Sequence, residues 1–374
     1  MGRAPTGKPT SFDIAYLAGV SQPTVSRALR GDKSVSDATR ERIEKIARDL
    51  NYAVDKNASS LRTQRSNTIA LLFFEDPTPD DSMINPFFLA MLGSITRAAS
   101  KRGLDLLISF QQMEDDWHKQ YQDSHRADGL ILLGYGDYTL YEERLEQLAR
   151  QGTHFVRWGS VRDDNIGSTI GSDNFGAGRT AGRHLVEVGC RRVAFLGRAD
   201  EHYPEFADRY HGLRAALQGA GLDVDPALQA DALTSEQDGY AAARSLIDAG
   251  CDFDGIFAAS DVIATGALRA LAEAGLTVPD DVAIIGFDNI PAAALTAPPL
   301  TTVMQDMQGA GEALLASLVE QIDGAKAISR TLPARLVKRA STGEVTAHRP
   351  VPPVAPVAPV PTVPPIPPIP PGDD

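Results

Sequence analysis

At 374 residues the chain exceeds what one hydrophobic core usually serves, so two or three domains are expected. With 43% hydrophobic and 23% charged residues it has the composition of a globular protein, and no apolar run approaches the roughly 20 residues of a membrane span. A uniform net charge of −13 would exclude nucleic acid, but residues 1–65 hold 12 Lys/Arg against 7 Asp/Glu, so the acidic excess lies entirely in residues 66–374.

Met1 to Phe12 is polar and is not expected to act as a secretory signal. Cys190 and Cys251 are solitary and lack metal-ligand spacing, which suits a reducing cytoplasm. No membrane, metal or cofactor is therefore expected, and no catalytic motif is present: G-x-S-x-G, a P-loop, H-E-x-x-H and C-x-x-C are all missing. Gly176-x-Gly178-x-x-x-Gly182 has the wrong spacing for a dinucleotide loop.

Three short helices open the chain. Thr10 followed by Asp13 can cap the first reciprocally, and Gly19 ends it. Ser21 is placed to cap the second, with Pro23 in its first turn. Ser36 or Asp37 caps the third, whose Ile43, Ile46, Ala47 and Leu50 recur at helical spacing. Two helices joined by a tight Gly turn form a helix-turn-helix, the second helix entering the major groove. Gln22 at its start can pair with a base edge, Pro23 offers apolar contact, and Arg27 can hold guanine or a phosphate. Ser11, Ser21, Thr24 and Ser26 position the helix on phosphates, while Leu17, Val20, Val25 and Leu29 read as core.

Asp13-Ile14-Ala15, Ala18-Gly19-Val20-Ser21, Thr24-Val25-Ser26-Arg27, Val35-Ser36, Thr39-Arg40, Ile43 and Leu50-Asn51-Tyr52 stand at fixed spacing. In these positions the head resembles the LacI/GalR family of bacterial regulators. The resemblance implies a hinge helix over Asn57-Ala58-Ser59-Ser60-Leu61-Arg62-Thr63, with Asn57 and Ser60 on DNA and Leu61 wedged into the minor groove. Val54 and Asp55 depart from the family's Pro-Asn at its start. A plain linker is the alternative, since so short a segment is no stable helix alone.

From Asn67 strand and helix patterns alternate. Thr68–Phe74, Asp105–Ser109, Gly129–Gly134, His154–Gly159, Arg192–Gly197, Gly255–Ser260 and Val282–Phe287 read as strands. Phe87–Lys101, Phe175–Glu187, Tyr210–Ala220 and Ile263–Ala274 read as helices. Continuously apolar strands between helices mean parallel sheets covered on both faces, and their number calls for two doubly wound halves. Ligands of such folds sit beyond the carboxyl ends of the strands.

The body, Thr68 to about Ser341, is similar to the same family at Asn85-Pro86-Phe87-Phe88, Gly171-Ser172-Asp173-Asn174, Arg209-x-x-Gly212, Ser260-Asp261, Gly286-Phe287-Asp288-Asn289 and Pro299-Leu300-Thr301-Thr302-Val303-x-Gln305-Asp306. That implies a two-lobed α/β fold like that of periplasmic sugar-binding proteins, closing on a sugar-like effector. Phe87, Phe88, Gln111, Gln112, Arg157 and Trp158 follow the strands of the first half, and Trp158 reads equally as ligand wall or core. By family position Arg209 would hold vicinal hydroxyls or a carboxylate, Asp288 would accept hydrogen bonds, and Ser260 and Gln305 would join them. Asp261 and Asp173 are expected to cap helices. Arg157, where the family often carries Asp, leaves a neutral sugar and an anionic ligand both open.

The expected organisation is a helix-turn-helix domain (1–54), a hinge (55–66), a two-lobed effector-binding and dimerisation domain (67–341) and a Pro-rich tail (342–374) with 12 of the 25 prolines between Arg349 and Pro371. The reading is an effector-controlled DNA-binding regulator, a repressor or activator of carbohydrate-related genes. It would act as a homodimer on a pseudo-palindromic operator. Phe88, Leu89, Leu92 and Ile95 are candidates for the dimer face or for core. A transport component and a sugar-processing enzyme are the competing classes.

Overall fold

The computed structural model describes residues 9–29, 31–52, 65–73, 84–111, 115–134, 136–326 and 328–343. The expected hinge helix with Asn57, Ser60 and Leu61, the residue Gln112 and the Pro-rich tail beyond Gly343 lie outside the described residues.

The head consists of α1 (Ser11–Ala18), α2 (Gln22–Leu29) and α3 (Asp37–Asp49). Thr10 and Asp13 cap α1 reciprocally, the Thr10 N–H donating to Asp13 Oδ2 at 2.8 Å. Gly19 ends the helix at φ 62°, a conformation that a side chain would disfavour. Of the two candidates for α3, Ser36 is the cap, its hydroxyl accepting from the Thr39 N–H. Ile14, Ala18, Val25, Ala28, Ile43 and Ala47 bury the inner faces of all three helices. Helices this short are marginal alone, so that shared core stabilises them. Val25 is core as expected, but Leu17 is exposed: the stripe of Ile14, Ala15 and Ala18 turns it outward.

The body holds two six-stranded sheets. The first has the order β11-β5-β4-β3-β1-β2, with β1 (Thr68–Phe73), β2 (Asp105–Phe110), β3 (Gly129–Leu133), β4 (Phe155–Trp158), β5 (Ser168–Ser172) and β11 (Arg330–Leu332), all parallel. The second runs β12-β10-β9-β8-β6-β7, with β6 (Val193–Leu196), β7 (Gln229–Ala230), β8 (Gly255–Ala258), β9 (Ala283–Asp288), β10 (Thr301–Gln305) and β12 (Ala334–Val337), of which only β12 is antiparallel to its neighbour. The chain passes between the lobes after β5, after β10 and between β11 and β12.

Helices α4 (Pro86–Lys101) and α5 (Tyr138–Arg150) belong to the first lobe, and α6 (Asn174–Glu187), α7 (Pro204–Gly219), α8 (Glu236–Asp248) and α9 (Asp261–Glu273) to the second. The last helix, α10 (Met307–Ile322), returns to the first lobe and packs on α4 and the sheet. The central strands are buried along their length, apart from half-buried Thr68 at the start of β1, as sheets covered on both faces require. The glycines of α6 serve helix packing: a Cβ on Gly178 would stand 2.1 Å from the Arg209 carbonyl, so only glycine lets α7 approach this closely. α7 itself begins at Pro204, earlier than the expected Tyr210, because proline suits the first helical position.

Candidate DNA-reading surface and effector cleft

On the head, Ser21, Pro23 and Arg27 are exposed along α2, and Gln22, Thr24 and Ser26 are half-buried. The Gln22 amide donates to Ser11 Oγ at 3.2 Å, tying the start of α2 to the start of α1. The Ser21 carbonyl accepts from the Thr24 and Val25 N–H groups, and the Ser21 and Thr24 hydroxyls share a 2.9 Å bond. Phe12 and Tyr16, one turn apart on the outside of α1, are 71% and 83% exposed. Sequence reasoning passed over them, although they stand opposite the apolar stripe of their helix.

In the body, the carboxyl ends of the strands assemble two unlike surfaces. The first lobe presents a wall of aromatic groups. Asn85 caps α4 by accepting from the Phe87 N–H at 3.0 Å, with Pro86 at the first position. Phe87 meets Phe88 at 5.0 Å between centroids and Trp158 at 6.0 Å, and all three are buried in the main core. Gln111 is turned inward, where its amide donates to the Leu72 carbonyl at 3.0 Å and accepts from the Tyr141 hydroxyl. Its side chain is committed to the interior of the lobe.

Strand alternation puts Arg157 on the face opposite Trp158, against α5. Its guanidinium lies 4.8 Å from the Tyr138 ring and donates to the Ser160 carbonyl at 3.5 Å, while its buried Nε has no partner among the described residues. Burial pulls its pKa down, opposed by the charge of Glu205. Arg157, Glu205, Tyr138, Tyr141 and Trp158 line a cavity of about 20 Å³, room for one water-sized group.

The second lobe presents polar groups fixed by one another. Arg209 is fully buried, donates from Nε to Asn174 Oδ1 at 2.9 Å and from the guanidinium to the Ala259 carbonyl at 2.5 Å, and stacks 3.6 Å from the Phe287 ring centroid. Asp288 ends β9 at φ 108°, a strained conformation of the kind that collects at binding sites, and accepts from Gln305 Nε2 at 2.7 Å.

The roles of Ser260 and Asp261 are the reverse of those expected. Ser260 caps α9, accepting from the Ile263 N–H at 3.2 Å. Asp261, fully buried, accepts from the Thr302 hydroxyl at 2.6 Å and the Ile290 N–H at 2.8 Å, pinning the turn that carries Asp288. Burial, and then the charge of Asp288, push the Asp261 carboxyl well above the usual carboxylate range. Asp173 does cap α6, accepting from the Gly176 N–H at 2.8 Å.

Glu205, which the sequence reading did not single out, is buried and accepts from the Ser160 N–H at 2.8 Å across the lobes. A charged residue beside a proline at a helix start ordinarily reads as solvated surface, which is why no sequence signal marks it.

Among the described residues no group of His, Cys, Asp and Glu could hold a metal ion, and no helix is long and apolar enough to cross a membrane.

Comparison with known proteins agrees with this architecture. The pattern of "Bacterial regulatory proteins, lacI family" matches residues 12–55, and that of a "Periplasmic binding protein-like domain" matches residues 183–342. The HTH-type transcriptional regulator CelR of Thermobifida fusca is 32% identical over 332 residues, covering 88% of this chain and 95% of that protein. The HTH-type transcriptional repressor CytR of Escherichia coli (strain K12) is 31% identical over 338 residues, covering 89% of this chain and 96% of that protein. Among solved structures, a transcriptional regulator CelR–cellobiose complex superposes with a TM-score of 0.67 at 31% identity, covering 89% of this chain and 99% of that one. A LacI family regulator from Enterococcus faecium with bound ribose gives 0.61 at 26% identity, covering 74% and 99%. The chain belongs to the LacI family of bacterial regulatory proteins and is a DNA-binding transcription regulator.

Proposed function

We propose that the protein is a cytoplasmic repressor of carbohydrate-related genes, released from or held on its operator by an uncharged sugar bound between the lobes. The observations that carry this reading are the second-lobe pairs Arg209–Asn174 and Gln305–Asp288 and, in the first lobe, the aromatic group of Phe87 and Trp158. Guanidinium, amide and carboxylate groups suit hydroxyl pairs, and aromatic rings suit the apolar face of a sugar ring. The complexes of relatives with cellobiose and with ribose support the same class of ligand.

Charge decides between the two ligands left open above. Arg157 has the opposing charge of Glu205 beside it, and the second lobe offers the Asp288 carboxylate as well as the Arg209 guanidinium, which favours a neutral ligand over an anion. The cavity beside Arg157 has room for one hydroxyl-sized group, too little for a phosphate. Ser260, as a helix cap, contributes through its position more than through a free hydroxyl, and Gln111 drops out of the ligand set.

The protein acts as a homodimer in which two heads read the halves of a pseudo-palindromic operator. Gln22, Pro23 and Arg27 face the bases, and Ser11, Ser21, Thr24 and Ser26 the phosphates, with Asn57, Ser60 and Leu61 serving as the hinge between a head of residues 1–54 and the body. Exposed Leu89 on α4, half-buried Leu92, and Ile108 and Phe110 on the edge strand β2 offer an apolar face for the partner. Phe88 and Ile95, also candidates for that face, are internal core. The ligand is bound and released unchanged, as expected of a relative of transcriptional regulators.

The test is binding of the purified full chain to its own upstream DNA at stated salt, with and without mono- and disaccharides and sugar phosphates. A neutral sugar that shifts the affinity tenfold or more, about 1.4 kcal/mol of coupling, is the expected result. A response confined to sugar phosphates would overturn the charge argument, and absence of DNA binding would overturn the whole reading.

A further inference from the structure

Two loops of the first lobe touch the start of α7 in the second. The loop before α5 supplies Asp137, Tyr138 and Thr139, and the loop after β4 supplies Ser160 and Arg162. Opposite them stand His202, Glu205 and Asp208. His202 Nδ1 lies 2.7 Å from Asp137 Oδ2 and 3.2 Å from Thr139 Oγ1, and the His202 carbonyl accepts from the Tyr138 N–H at 2.8 Å. Glu205 accepts from the Ser160 N–H at 2.8 Å, Asp208 accepts from the Ser160 hydroxyl, and Arg162 pairs with Asp208 at 2.9 Å.

From this set we infer that the α7 flank is an interlobe latch: direct bonds between Asp137, Ser160 and Arg162 on one lobe and His202, Glu205 and Asp208 on the other set the balance between joined and parted lobes. Two features carry the inference. Seven hydrogen bonds or ion pairs between described residues of the two lobes gather on this flank, from Asp137, Tyr138, Thr139, Ser160 and Arg162 to His202, Pro204, Glu205 and Asp208.

The bonds, moreover, are not all surface ion pairs, which contribute little on their own. Ser160 and Glu205 are buried, and two of the donors are main-chain N–H groups whose direction the fold fixes. Each bond joins protein to protein and needs no bridging group, and water can replace each partner when the lobes part, so the latch is reversible.

A ligand shifts such an equilibrium only by its differential affinity for the two states. The latch therefore sets how much of that affinity closure consumes, and hence both effector affinity and basal operator binding. This regulatory consequence rests on the effector-controlled reading above, while the latch itself does not.

Hydrogen exchange on the full chain without added sugar tests it, read at the Tyr138 and Ser160 amides that donate across the cleft. Both are expected to be protected in the native sequence. Arg162→Ala, and separately Asp208→Asn, are expected to speed their exchange tenfold or more while the amides of β8 stay protected, which also shows that the variants fold. Unprotected amides in the native sequence, or exchange unchanged in both variants, would overturn the latch. Operator binding indifferent to every sugar would sink the effector reading and leave this exchange result standing.

Discussion

The two walls of the cleft come from lobes of the same construction, yet they differ in kind. The first lobe contributes Phe87 and Trp158, proposed above as ligand wall and packed in the hydrophobic core. The second contributes Arg209, Asp288 and Gln305, which are buried but held by hydrogen bonds and, for Arg209, by the Phe287 ring. A wall built from core cannot vary without loss of stability, whereas a polar cluster can change its hydrogen-bonding pattern and keep the fold. Ligand identity is then written mainly in the second lobe, and the first supplies a surface against which many sugar rings could close.

That contrast can be broken most severely in the first lobe. Phe87→Ala removes a fully buried ring from between Phe88 and Trp158 and is expected to cost about 3–5 kcal/mol in a denaturant melt. A loss below about 1 kcal/mol would mean that the wall is not core. In the second lobe, Asp288→Asn keeps the shape and removes the charge. Sugar binding is expected to weaken by tenfold or more, since hydrogen bonds to charged groups contribute about 1.5–3 kcal/mol, with a much smaller change in the melt. Calorimetric titration with whichever sugar shifts operator binding checks it, and equal losses of stability and affinity would erase the distinction between the lobes.

A smaller effect concerns the support behind the second lobe. His184 on α6 is buried, bonded to the Thr342 hydroxyl at 3.0 Å, and burial, with Lys338 nearby, holds its pKa below the ordinary 6.5. The unfolded chain takes up the proton first as pH falls. Stability is therefore full above pH 6.5 and declines from there toward the lower folded pKa. His184→Gln should flatten that part of the pH–stability curve, and an unchanged slope would assign the decline to another group.

The head was the most legible part of the sequence because its signals are local: a capping pair at Thr10 and Asp13, a turn glycine at Gly19, and a helical apolar stripe. Body strands rich in aliphatic residues were legible for the same reason. β5 and β10, Ser-Thr-Ile-Gly-Ser and Thr-Thr-Val-Met-Gln, were read as family landmarks and not as strands, for they are rich in buried hydroxyls, and those of Ser168 and Thr301 find partners far away in sequence, at Ser317 and Thr342. Ser260 and Asp261 are adjacent residues of equal capping propensity, and only the tertiary bonds of Asp261 to Thr302 and Ile290 decide between them. Glu205, Asp208 and Arg162 look like surface charge until the second lobe is placed against the first.

The central claim is that occupancy of the cleft and occupancy of DNA are coupled. Measuring the affinity of the full chain for operator with and without sugar, and for sugar with and without operator, tests it directly. Linkage requires the two ratios to be the same, and the account predicts a common factor of tenfold or more. Ratios of one in both directions, with sugar and operator each bound, would contradict it.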